Sequence, residues 1–287
     1  MSEQPLPIDK QQARQAFERA AATYDDAAVL QRQTGECMLE RLDLVKLQPE
    51  VVLDVGCGTG VATAALAKRY KKAQIVALDF ALPMLQRTRK RGSWLRKPAC
   101  ICADAEQLPF RDNSIDLIYS NAAIQWCTDL EGTFQEFQRV LRPGGLLMFT
   151  TFGLDTLKEL RQAWGTVDGH SHVSPFPDMH DVGDALIRAR FADPVIDVDR
   201  LTLTYDEVSG LMRDLKMIGA HNVTTHRQRG LTGKGRMQAM IKAYEAFRIQ
   251  GLLPASYEVV YGHAWAPELH SRAKREVSVD ELVRSRL

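Results

Sequence analysis

The chain reads as an open α/β domain, with a seven-stranded, mostly parallel sheet, helices on both faces and a helical lid. Three observations predict it. Five short, nearly continuous apolar runs follow one another between residues 51 and 152, each set off by a polar or helix-periodic stretch; that is the texture of strands buried on both faces in β/α alternation. A glycine-rich turn joins the first run to a helical pattern, and two more strand candidates follow once the alternation ends.

Residues 8 to 45 carry an apolar stripe (Phe17, Ala20, Ala21, Tyr24, Ala28, Leu39, Leu42) among charges and read as helical. The five runs are VVLDV (51–55), QIVALD (74–79), ACICAD (99–104), IDLIYS (115–120) and GLLMFTTF (145–152). GVATAALAKRYK, ALPMLQRTRKRG and LEGTFQEFQRVLRPGG serve as crossover helices, the last expected to stop at Pro143 and the Gly144–Gly145 pair. Segment 153–190 is helical and irregular, with a helix from about Met179 to Arg190. DPVIDVDRLTLTY (193–205) alternates as a strand does, 206–250 is helical and basic, and YEVVYGHAWAP (257–267) is a final strand expected to run antiparallel. The resulting organisation is a helical cap over 1–48, a ligand-binding core over 49–152, completion of the sheet over 153–267 with lid insertions at 153–178 and 206–253, and a polar tail over 268–287.

A chain of 287 residues, 45% of them hydrophobic, is long enough for one large core. The formal charge of +1 excludes the global basic field of a dedicated nucleic-acid binder, so an acidic partner must be met by a local patch. Cys37, Cys57, Cys100, Cys102 and Cys127 are odd in number and lie mostly in apolar context, which suits a reducing compartment; the cytoplasm is expected. No run approaches the roughly 18 apolar residues of a membrane span, and the opening MSEQPLPIDKQQARQAF lacks the blocks of a signal peptide.

The turn raises the question of its ligand. Dinucleotide folds use G-x-G-x-x-G, whereas here Gly56, Gly58 and Gly60 place the third glycine one position early. The turn is entered through Asp54, a carboxylate that repels a pyrophosphate and attracts a cation, and Asp79, closing the second strand, is placed for a ribose.

LDVGCGTG followed by ALDFALPML, CADAEQLPF, DLIYSNAAIQW and RVLRPGGLLMF resembles the ordered motifs of class I S-adenosylmethionine-dependent methyltransferases. The resemblance implies a Rossmann-like fold and S-adenosylmethionine as methyl donor, leaving S-adenosylhomocysteine. Position by position it implies that Gly56, Gly58 and Gly60 bring backbone against the methionine and ribose portions. Asp54 is then set at the methionyl amino group, directly or through water, and Asp79 at the ribose hydroxyls. Phe80 and Met84 flank the adenine, Asp104 and the Ala105 backbone read its amino edge, and Asn121 lies beside the sulfonium. Cys57 reads as a buried apolar filler rather than a nucleophile.

FERAAATYDDAAVLQRQ, SNAAIQWC, TLKELRQAW, LMRDLKMIGAHN and RGLTGKGRMQAM extend the likeness over roughly residues 10 to 267, where the chain resembles the malonyl-acyl-carrier-protein O-methyltransferases of biotin biosynthesis. That implies methylation of the free carboxylate of a malonyl thioester, on carrier protein or coenzyme A. Other small-molecule O- or C-methyltransferases remain an alternative, as does a methyltransferase-fold hydroxylase or assembly factor acting on a respiratory subunit. A carboxylate is already ionised at neutral pH, so no general base is needed; alignment and exclusion of water are.

Candidates for positioning substrate are Tyr24 and Gln31 on the N-terminal helices, Trp126 past the fourth strand, and Arg213 and Lys216, three apart on a predicted helix over 207–219. Arg227, Arg229, Lys234 and Arg236 form a basic patch suited to an acidic carrier protein. The seven histidines (His170, His172, His180, His221, His226, His263, His270) supply no compact ligand set, and no metal is expected.

Overall fold

A computed structural model describes residues 8–91, 97–220, 222–224 and 233–268. The N-terminal segment forms α1 (Lys10–Ala20), α2 (Tyr24–Ala27) and α3 (Val29–Arg41). Asp9 opens α1 by accepting the Gln12 N–H at 3.0 Å, which satisfies one of the donors a helix start leaves free. The apolar side of α1 buries Ala13, Ala16 and Ala20, small residues that let the helix lie close to its neighbours.

The alternating region gives β1 (Val51–Val55), α4 (Val61–Arg69), β2 (Gln74–Asp79), α5 (Leu82–Arg91), β3 (Ala99–Cys102), β4 (Ile115–Ser120), α6 (Leu130–Val140) and β5 (Leu141–Phe152). Then come α7 (Lys158–Gly165), α8 (Met179–Arg188), β6 (Ala192–Tyr205), α9 (Val208–Met217), α10 (Lys234–Tyr244) and β7 (Leu253–Trp265). The strands make one seven-stranded sheet in the order β3-β2-β1-β4-β5-β7-β6. β7 is antiparallel to both neighbours and the other pairings are parallel, so the expected antiparallel excursion lands between β5 and β6.

Successive strand residues point to opposite faces, and both faces are covered. Val52, Leu117, Tyr119, Leu146 and Met148 join residues of α3, α7, α9 and α10 in one core. Leu53, Val55, Ile118, Leu147 and Phe149 join Phe134 and Phe137 of α6 and Val182 and Leu186 of α8 in the other. Each such side chain contributes about 1.5–3 kcal/mol on burial. Gly262 of β7 lies under Phe149, where a Cβ would come within 2.2 Å of the ring.

Two boundaries differ from expectation. The sixth helix ends at Val140, three residues before Pro143, and β5 is already extended from Leu141; Pro143 keeps Arg142 out of the helical region, and the helix stops short of both. β7 begins at Leu253 rather than 257, since its early residues pair with β6 from Tyr205↔Leu253 onward. Arg227, Arg229 and, beyond Glu268, the polar tail lie outside the described residues.

Candidate active site

The site forms where β1, β2 and β4 end. After Val55 the chain turns through Gly56, Cys57 and Gly58, with the Gly56 and Cys57 N–H groups donating to Leu78 O at 2.8 and 3.0 Å. Asp79 then ties the first two strand ends together, one carboxylate oxygen accepting the Gly58 N–H at 2.9 Å and the other the Ala81 N–H at 2.8 Å. Its side chain is buried at 5% exposure; burial pushes its pKa up to about 6, against those backbone hydrogen bonds. Asp54 is buried more deeply, at 1% exposure, and accepts from Thr63 Oγ1 at 2.5 Å. Burial pushes it up to about 7, the Thr63 bond opposes the shift and the charge of Asp79 adds to it.

Of the residues expected around a nucleoside, Gly56, Gly58, Asp79, Phe80, Met84, Asp104, Ala105 and Asn121 line one cavity. Asp54 and Gly60 do not. Asp54 sits beneath the turn, with its carboxylate on Thr63. Gly60 has φ +85°, and a Cβ there would meet Thr88 of α5 at 2.7 Å; packing of the α4 start against α5 by itself requires a glycine here. Asn121 reaches the cavity, yet its Oδ1 accepts from Thr34 Oγ1 at 3.0 Å and Thr150 Oγ1 at 2.7 Å while its Nδ2 donates to Gln31 O at 2.8 Å. Its amide therefore fastens α3 to the ends of β4 and β5.

The N-terminal cap covers this cavity. Tyr24 stands over Gly58, its ring carbon 3.9 Å from where a Cβ would be, and Lys10 bridges Asp104 and Glu106 at 2.6 Å each. The volume left there is about 70 Å³, well below the ~300 Å³ at which ligand pockets begin, because the cap side chains fill the space over the turn. Phe17 lies between Phe80, at 5.7 Å, and Trp126, edge-on at 5.1 Å.

A second cavity of about 980 Å³ adjoins the first. Phe17, Tyr24, Ala122 and Trp126 belong to both. Its wall is largely apolar, with Phe152, Leu160, Phe176, Leu203, Met212 and Met237, and Gln31 also faces it. Ala122, at the junction, has φ +50°, and its N–H is clamped by Thr150 Oγ1 at 2.8 Å. A non-glycine residue held in this region stores strain of the kind that collects at functional sites.

Other candidates fall differently. Lys216 is on the wall of the large cavity but exposed, and Arg213, exposed as well, is off the wall; the helix rotation that turns Leu211 and Leu215 into the core turns Arg213 away. Lys234 is exposed at the start of α10, and Arg236 approaches Asp168 at 3.8 Å. Cys57 is enclosed beside Thr88 and burial raises its thiol well above the usual range, which suits a filler rather than a nucleophile. His172 and His180 each pair with a nearby aspartate, and among the described residues no cluster of His, Cys, Asp and Glu could hold a metal. Sequence reasoning missed Lys10, Phe17, Ala122 and His172 as site residues.

The donor set fits an adenosyl group. A carboxylate desolvated at the second strand end gains from ribose hydroxyls, bare backbone faces it at Gly58, and Phe80 and Met84 form an apolar slot. Sheet order, turn and acidic strand end together define a class I S-adenosylmethionine-dependent methyltransferase. Residues 53–149 match the family model described as a methyltransferase domain. The chain is 56% identical to the malonyl-[acyl-carrier protein] O-methyltransferase of Methylovorus sp. (strain MP688), over 91% of this chain and 90% of the relative. An S-adenosylmethionine-dependent methyltransferase of Thermotoga maritima shares the fold (TM-score 0.53, 17% identity, covering 88% of this chain and 99% of that one). So does the [4+2]-cyclase SpnF (TM-score 0.58, 17% identity, covering 93% and 100%). The chain belongs to the malonyl-[acyl-carrier protein] O-methyltransferase family.

Proposed function

We propose that the protein methylates the free carboxylate of a malonyl thioester carried on acyl carrier protein, a step of biotin biosynthesis. The observation that carries this reading is the contact between the two cavities. A small cavity lined by the glycine turn and Asp79, and covered by Tyr24 and Phe17, meets, across Ala122 and Trp126, an apolar chamber large enough for an acyl-pantetheine arm.

S-adenosylmethionine, when bound, supplies an electrophilic methyl group. The chain's part is to hold and to dry. Asp79 holds the ribose, and Asp54 gives the ammonium end a counter-charge from beneath the turn. Phe17, Tyr24 and Trp126 exclude water from the junction, where hydrolysis and misalignment would both be costly. The substrate carboxylate arrives ionised, so no side chain need remove a proton. Lys234 and the basic residues near it meet an acidic carrier protein, with 1–48 acting as cap and 153–178 with 206–253 as lid. The site of action is the cytoplasm, in keeping with five free cysteines; among the described residues no helix is long and apolar enough to cross a membrane.

The test is incubation with methyl-labelled S-adenosylmethionine and a panel of malonyl, succinyl and acetyl carrier proteins together with malonyl-coenzyme A. Label entering the malonyl thioesters as a base-labile ester supports the reading. Label in none of them, with hydroxylation of a respiratory subunit instead, overturns it.

A further inference from the structure

The loop between α7 and α8 places His172 on the wall of the large cavity, and among the described residues this is the one imidazole there. The ring is fixed from two sides. It stacks on Trp164 with centroids 3.7 Å apart and planes 7° from parallel, and its Nε2 lies 2.8 Å from Asp168 Oδ1. Asp168 is fixed in turn. The same oxygen accepts the His170 N–H at 3.0 Å, and its other oxygen lies 3.8 Å from Arg236. Burial works against its charge, but the bonds from His172 and the His170 N–H hold it below the usual carboxylate range. The loop is tied down as well, Ser171 Oγ donating to Val173 O at 3.0 Å and Asn222 Nδ2 to Ser171 O at 2.6 Å.

With Nε2 committed to Asp168, the remaining ring nitrogen has no hydrogen-bond partner among the described residues. The side chain is 16% exposed, on a largely apolar wall that includes Phe152, Leu160, Val173 and Phe176 together with the polar Ser174 and Asn222. An oriented imidazole with an uncommitted nitrogen, in an apolar chamber, is the arrangement that gives a ligand its polar anchor. Nδ1 donates only when the ring carries both protons, and Asp168 supplies the counter-charge which that form needs.

We propose that His172 is a substrate-binding residue whose Nδ1–H holds an oxygen of the acyl thioester, either of the carboxylate or of the thioester carbonyl, with Asp168 and Trp164 as positioning residues, the first countering the charge of the doubly protonated ring and the second fixing its plane. The inference rests on the malonyl-thioester reading and deepens it: it places recognition of the acyl group on the α7–α8 loop and takes that role from Arg213 and Lys216.

The test uses the full chain saturated with S-adenosylhomocysteine and three ligands followed by calorimetry: malonyl-pantetheine, its methyl ester, and a thioether analogue lacking the thioester oxygen. His172→Phe keeps a ring for Trp164 and removes the donor. Malonyl-pantetheine should bind roughly tenfold more weakly to it, the loss of one charge-assisted hydrogen bond, while S-adenosylhomocysteine affinity stays unchanged. If the methyl ester shows no such loss, the oxygen belongs to the carboxylate; if the thioether shows none, it belongs to the carbonyl. Asp168→Asn should weaken binding of the same ligands by a smaller factor, and His172→Gln, which restores a donor, should recover part of the affinity. Wild-type affinity for all three ligands in His172→Phe overturns the proposal, and so does an equal loss for all three. Failure of the wild type to methylate any malonyl thioester overturns the underlying reading instead.

Discussion

Lys10 Nζ, in the first turn of α1, lies 2.6 Å from a carboxylate oxygen of Asp104 in the loop after β3, and as close to one of Glu106. This ion triad latches the cap to the core across the mouth of the nucleoside cavity. It also occupies the carboxylate that the proposed cofactor site gives to the adenine edge, and in that reading cap and cofactor compete for Asp104. Lys10→Met should therefore speed S-adenosylhomocysteine association in stopped-flow fluorescence. The latch is partly exposed and worth about 1 kcal/mol at most, so a several-fold change in rate is expected. An unchanged association rate would show that the latch does not gate entry.

Asp79 accepts from two backbone turns at once, so two of its variants must be compared. Asp79→Asn keeps the shape and loses the charge; Asp79→Ala loses both. Cofactor affinity measured by calorimetry should fall by about 1.5–3 kcal/mol for each ribose hydrogen bond lost, and further in the alanine variant as the Gly58 turn loosens. Wild-type affinity in Asp79→Asn would remove the ribose from this carboxylate.

Asp54 makes the cofactor-free protein sensitive to pH. Its folded pKa of about 7 lies above the ~3.9 of an unfolded aspartate, so the folded state holds the proton more tightly. Stability from this group is fully present below about pH 4 and is lost as the pH rises through 7. Asp54→Asn should flatten that decline, stabilising the cofactor-free protein at pH 8 by on the order of a few kcal/mol and scarcely at all at pH 4. Denaturant titrations at the two pH values check it; parallel pH profiles for both proteins would contradict it.

Gly56 carries φ +68°, and a Cβ there would lie 2.2 Å from Ala123 Cβ. Gly56→Ala should abolish cofactor binding and lower the melting temperature. Adding Ala123→Gly removes the collision and leaves the backbone strain, so the double variant should regain part of the stability. No gain from the second substitution would mean that positive φ alone decides this position.

Lys234 and Lys242, both exposed on α10, test carrier-protein docking. Reversing both to glutamate should raise KM for malonyl-carrier protein and leave malonyl-coenzyme A unaffected. Added salt should mimic the change, since exposed charges are screened over ~8 Å at physiological ionic strength. Equal damage to both substrates would point to the fold.

The strands were legible because burial on both faces writes itself as apolar runs, and the sequence places Asp79 at the end of the second strand, where the fold puts it on the small cavity and on two backbone N–H groups. Gly60 shows the limit of pattern reading: a glycine needed against Thr88 and one needed against a ligand look the same in a sequence. Ala122 gave no signal, as its positive φ goes with a hydrogen bond to Thr150 of the neighbouring strand that only the fold supplies. Lys10 and His172 could not be read because each acts through a partner that only the fold brings near, and the rotation of α9 separated Arg213 from Lys216.

Phe17, Tyr24, Ala122 and Trp126 form a partition common to both cavities. A single compound, an adenosine joined through a short linker to an acyl-pantetheine mimic, would cross that partition and fill both chambers while losing its translational freedom only once. Its affinity should exceed that of either half by orders of magnitude when the linker matches the thickness of one aromatic ring, and fall steeply when it is an atom or two shorter.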